Sequence, residues 1–145
     1  MEILYRLFHA LTELHPLHPM LVHFPIGLSG AAALFIILAV WKRNLIFEQA
    51  AYFNLVLVSI ATLVAGSAGI YDNNINYDGD APNALAKIIL ASALLGISTI
   101  TSLFRWQNPN VLNSKYFVLY VGAYLTCFLL ALVLAFLGGV ILYGF

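Results

Sequence analysis

Four histidines, at positions 9, 15, 18 and 23, open this 145-residue sequence, and three of them fall in one stretch, HPLHPMLVHFPIG, residues 15–27. An imidazole can ligate a metal or haem iron, carry a proton, or bond a helix end. Pro16, Pro19 and Pro25 follow His15, His18 and Phe24, and each proline disfavours helix in the residue before it. The spacing therefore predicts an extended or turn entry, with helix beginning at Pro19 and kinking at Pro25, or starting at Pro25. In an unbroken helix His18 and His23 stand roughly 140° apart and share no ligand; the prolines leave shared ligation open. His23 is flanked by Val22, Phe24 and Ile26, and ionisable groups in such surroundings are functional candidates by default. Three readings stand. His23 bonds a carbonyl freed at the proline while His18 caps the helix; or His18 and His23 bind a cofactor; or they transfer a proton.

A second polar cluster reads YDNNINYDGDAPN, residues 71–83. Asn74, Asn76, Asp78 and Gly79 match the opening of a calcium loop, but position twelve of that frame is Leu85 where a bidentate acid belongs. A polar turn closed by Asn and Asp side chains is the alternative. No Ser-His-Asp set, paired intramembrane carboxylates or phosphate-cradling glycine loop is visible, so the chain reads as non-catalytic. Cys127 sits within an apolar run and reads as an inert buried thiol.

The elements that position these residues are set by lipid. Hydrophobic residues make up 63% of the chain and charged residues 8%, with a mean hydropathy of +0.96. Soluble domains carry about 25% charge, so too few charges are present to cover a soluble surface. The net charge is zero, which gives no reason to expect nucleic acid as a partner. Apolar segments run over about 21–41, 50–70, 84–104 and 116–143. Each reaches the roughly 20 residues that a helix needs to cross a bilayer core, and the last exceeds it. Helix is the choice because lipid offers no partner to an open backbone. The expected fold is all-α: an integral membrane four-helix bundle forming one domain over 1–145, with a short N-terminal amphipathic interfacial helix. That helix, residues 1–14, places Ile3, Leu4, Leu7, Phe8, Leu11 and Leu14 on one stripe. It is expected to lie flat at the interface or to pack on a partner subunit. The N-terminus does not have the form of a cleavable signal peptide, and the first span is expected to direct insertion.

The loops give an orientation. Lys42 and Arg43 occupy the first, Arg105 and Lys115 the third, while the second carries Asp72, Asp78 and Asp80 without a cation. The positive-inside rule puts loops one and three in the cytoplasm, with Trp41 and Trp106 at that interface. Both termini are then outside, in the periplasm if the membrane is a bacterial inner membrane. The outer side gathers the histidines and the acidic loop, whereas the inner side shows a few charges and ordinary loop residues. A site is thus expected on the outer face. Lys87 is expected to snorkel to that interface or pair with the loop aspartates. Small residues (Ala61, Ala65 and Gly69; Ala91, Ala93 and Gly96; Gly122 and Ala123; Gly138 and Gly139) are read as close-packing surfaces between helices; the alternative is a groove for a flat cofactor or lipid tail.

HPMLVHFPIG at residues 18–27 resembles the HPxxVHFPI signature of domain-of-unknown-function family 2231, predicted four-helix bacterial membrane proteins. Gly69-Ile70-Tyr71-Asp72 and Gly138-Gly139 with Tyr143 are similar to that family's second-helix end and terminal GGxxxY. The family is similar in architecture to membrane di-haem cytochromes of the b type, which implies haem ligation and electron transfer. Family members usually carry further histidines early in helix three and after the terminal tyrosine; here those regions read ALAKIIL and LYGF. Only His18 and His23 carry over, which suits a single axial imidazole to haem b or to the magnesium of a chlorophyll-type pigment. The resulting expectation is a small non-catalytic membrane subunit of a larger respiratory or photosynthetic electron-transport complex, in contact with membrane lipids. The rivals are an autonomous b-type haem carrier and a transporter or metal-handling protein.

Overall fold

The computed structural model of the chain describes residues 3–4 and 17–143, with side chains at 3–4 and 20–139. The described residues form four long helices and no strand: α1 (Leu17–Lys42), α2 (Leu45–Asn76), α3 (Ala84–Gln107) and α4 (Phe117–Tyr143), with a 3-10 turn at Val111–Asn113. All four are long and apolar enough to cross a membrane. The interfacial helix expected over 1–14 lies outside the described residues, apart from Ile3 and Leu4, which are helical and exposed.

Of the two expected alternatives, a helix starting at Pro25 is ruled out. Helix α1 runs from Leu17 through Pro25 to Lys42 without interruption. Pro19 falls in the first turn, where a missing N–H forfeits no helical bond. Pro25 is buried and inside the helix, and Ser29 Oγ donates to its carbonyl at 2.5 Å. A two-residue link follows. Arg43 takes a left-handed φ of 49° and the Asn44 N–H donates to Ala39 O at 3.2 Å, the bonding of a Schellman C-cap. The Asn44 side chain then accepts from Ile46 N at 2.8 Å and caps α2.

The sequence segment 50–70 is extended at both ends, into a helix of 32 residues. That is about 48 Å at 1.5 Å per residue, so α2, rather than the last segment, is the helix that most exceeds the bilayer core. Its final turns carry Tyr71 to Asn76 beyond the apolar zone.

Each helix packs on its chain neighbours, and α4 closes the ring against α1. The inward stripes alternate steps of three and four residues: Ser29, Ala32, Ile36 and Ala39 on α1; Glu48, Ala51, Leu55, Val58, Thr62 and Ala65 on α2; Leu94, Ser98 and Thr101 on α3; Tyr120, Tyr124, Cys127 and Ala131 on α4. That period is the seam of left-handed helix packing. Leu34, Phe53, Leu63, Ile100, Leu129 and Phe136 stand exposed on the opposite faces. In water such surfaces would aggregate; in a bilayer they meet acyl chains.

The small residues pack differently from the sequence expectation. Alanines 32, 33, 39, 51, 65 and 131 are buried, and a Cβ on Gly30 would meet the Phe128 ring at 3.4 Å. A Cβ on Gly27, Gly66, Gly96, Gly122, Gly138 or Gly139 would meet nothing within 4 Å. Gly96 and Gly122 follow buried Leu94 and Tyr120 by two positions, which turns them roughly 160° away from the core.

Candidate functional site

The most concentrated chemistry of the described residues lies at the end where α2 begins, not on the face bearing the acidic loop. Glu48 is 1% exposed. It occupies the first turn of α2, where the helix dipole favours a negative charge, and Arg105 occupies the last turn of α3, where it favours a positive one. Arg105 Nε donates to Glu48 Oε1 at 2.5 Å and Nη2 to Oε2 at 2.8 Å, a bidentate pair. The guanidinium also lies 5.3 Å from the ring centroid of Tyr52, one turn along α2.

Helix α4 completes the cluster. Tyr120, from its first turn, donates its hydroxyl to Glu48 Oε1 at 2.8 Å, and the Tyr124 hydroxyl lies 2.8 Å from that of Tyr120. With the Tyr120 proton directed at the carboxylate, Tyr124 is the donor in the second bond. The two rings meet edge to face with centroids 5.0 Å apart. Below them the third loop is pinned by Val111, fully buried, and by Phe104 against Tyr116 at 5.6 Å. One carboxylate thus ties three helix ends together, and every group in the chain of bonds has a partner. Burying an ion pair costs several kcal/mol per ion unless such bonds compensate it. The arrangement is a clamp.

The sequence pointed to the acidic-loop face, and the reason it missed the clamp is specific. Arg105 counted as a loop charge and Glu48 fell two residues before the apolar segment. The usable signal was the stripe 51, 55, 58, 62, 65: carried back one step of three, it lands on Glu48.

Of the four histidines, the described residues show the side chain of His23 alone. His18 lies in the helical part of α1, its side chain outside the described residues; His9 and His15 lie outside them altogether. His23 is exposed. Because α1 is continuous, positions 18 and 23 stand roughly 140° apart around its axis. His23 shares a stripe with Gly27, Gly30 and Leu34, four, seven and eleven residues on. A shallow apolar groove of about 470 Å³ on the lipid side is lined by Leu21, Phe24, Leu28, Leu57, Ile60 and Val64. It opens on another side of α1 from His23, roughly 100–160° around.

The second loop is closed by Asn73, through its side chain and its carbonyl. Asn73 Nδ2 donates to Gly79 O at 3.1 Å and its Oδ1 accepts from Ala81 N at 2.9 Å, while Asn73 O accepts from Gly79 N at 3.0 Å. Asp78 and Gly79 supply the left-handed backbone, with φ of 50° and 89°. Asn76 donates to the Asp72 side chain within the helix. Asn74 and Asn76, the first two ligand positions of the calcium frame, are helical, so the loop cannot wrap a cation in that register. The polar-turn reading is the one realised. Among the described residues, no three His, Cys, Asp or Glu side chains gather to hold a metal ion. Cys127 is buried and free.

A comparison with known families matches residues 14–145 to the model described as "Predicted membrane protein (DUF2231)". No curated protein and no solved structure matches the chain.

Proposed function

This chain belongs to the DUF2231 family of predicted membrane proteins, and on that premise we propose that it is a small non-catalytic subunit of a larger electron-transport assembly, respiratory or photosynthetic, held through its lipid-level faces. The observation that carries this reading is the set of glycines turned away from the core. Gly27, Gly66, Gly96, Gly122, Gly138 and Gly139 leave open space where a Cβ would stand. Glycine lowers helix propensity by about 1 kcal/mol and is favoured in lipid where helices approach closely. Among the described residues nothing approaches those positions, which favours a partner as the source of the approaching helix. The clamp supports the same reading, since its polar atoms bond one another.

The electron-transport setting comes from the family's likeness to b-type membrane cytochromes. Positions 18 and 23 lie roughly 140° apart on a continuous helix, which favours one axial imidazole over a pair from this stretch. A single axial imidazole fits better: His23 is exposed and Gly27, one turn below on the same stripe, leaves room for a flat ring. His23, or His18, would hold haem b or a chlorophyll-type pigment, whose chemistry when bound is electron or excitation transfer. The protein's part is to orient that ring against a partner. In this arrangement both termini face the periplasm and the clamp faces the cytoplasm, across a cell inner membrane.

Solubilising native membranes in mild detergent and running a blue-native gel tests the reading. The chain should migrate within a larger particle; migration alone at its own detergent-corrected mass contradicts it. A pyridine haemochrome signal from the isolated chain would favour the autonomous carrier. Metal that co-purifies and is lost in His18→Ala or His23→Ala would favour the metal-handling reading.

A further inference from the structure

We propose that the clamp end of the bundle carries a headgroup-level collar that selects anionic phospholipid. Four cations lie at this end: Lys42 ending α1 and Arg43 just after it, Arg105 at the end of α3, and Lys115 before α4. Among the described residues one carboxylate accompanies them, Glu48, and it is committed to Arg105. Three positive charges therefore remain, and Lys42, Arg43 and Lys115 are all exposed.

Their surroundings set their depth. The Lys42 ammonium lies 4.3 Å from the Trp41 ring centroid and the Lys115 ammonium 5.0 Å from that of Tyr116. Trp41 and Trp106 are both about 70% exposed, at 72% and 70%. Indole and phenol rings settle at the headgroup level of a bilayer, so the ammonium groups stacked on them stand at the height of the phosphodiesters. Arg43 adds a second indication. It holds the left-handed position of the helix cap, with φ of 49°, where glycine is the usual residue and a Cβ is strained. The chain keeps a cation there despite that strain. The opposite end carries Asp72, Asp78 and Asp80 with Lys87 as the one cation among the described residues there, so on those residues the two ends of the bundle differ in sign. A lipid with a net negative headgroup complements one end only.

The two tryptophans of the chain, Trp41 and Trp106, both sit at the collar, so fluorescence reports on it selectively. The full chain is reconstituted in phosphatidylcholine vesicles containing either brominated phosphatidylcholine or brominated phosphatidylglycerol, and quenching is compared. A cation near a charged leaflet is worth about 1 kcal/mol, so brominated phosphatidylglycerol should associate about fivefold more strongly or better at low salt. That preference should fall toward unity near ~1 M salt, where screening shortens to ~3 Å. The triple variant Lys42→Gln, Arg43→Gln and Lys115→Gln should quench equally with either lipid. If that variant does not insert, Lys115→Gln alone should reduce the preference measurably. Equal quenching of the wild-type chain by the two lipids overturns the proposal. So does a preference that survives high salt or persists in the variants.

Discussion

At the end where α2 begins, a carboxylate 1% exposed is bonded to side chains from α3 and α4; at the end where α2 finishes, an asparagine closes a loop by bonding Gly79 and Ala81, six and eight residues away. The first end joins helices that are far apart in sequence, and the second satisfies its polar atoms within one turn. In lipid the helices gain little by hiding apolar surface from one another, so packing leaves their order and register weakly determined. A buried ion pair across three helices supplies what packing does not. The acidic-loop end, projecting beyond the bilayer core, can use water for the same purpose.

Substitutions that break this contrast are ranked by what they leave unpaired. Glu48→Ala strands a largely buried guanidinium and should lower stability by about 3–5 kcal/mol, read by denaturant or thermal unfolding in mild detergent. The double variant Glu48→Met with Arg105→Met should recover most of that loss, because the cost lies in the unpaired charge. Tyr120→Phe removes one bond to the carboxylate and should cost about 1.5–3 kcal/mol. At the other end Asn73→Ala removes two neutral bonds and should cost about 1–2 kcal/mol. Asp78→Asn and Asp80→Asn, both exposed, should stay within about 0.5 kcal/mol of the parent. If the aspartate changes matched Glu48→Ala, the contrast between the ends would be wrong.

Much of the fold was legible because one rule dominates in lipid: long apolar runs must be helices. The four segments and their links follow from it. What escaped were features in which one residue type serves two roles. Arg105 counts toward orientation as a loop charge, yet its partner lies 57 positions earlier in the chain, and no periodicity announces that pairing. Pro25 reads as a kink or a helix start, yet α1 stays helical through it, as a helix embedded among others can. Glycines were read as close-packing surfaces between these helices, yet a Cβ on Gly96 or Gly122 would meet nothing within 4 Å. A sequence shows that a surface is small and apolar, not which chain it meets.

That last point carries the functional account, and one measurement tests it most directly. Gly96→Leu and Gly122→Leu add bulk where this chain leaves open space and should leave the isolated bundle as stable as the parent. In native membranes the same variants should drop out of the larger particle on a blue-native gel while the parent remains in it. Variants that stay in the particle, or a parent that was never part of one, would contradict the assignment of those faces to a partner.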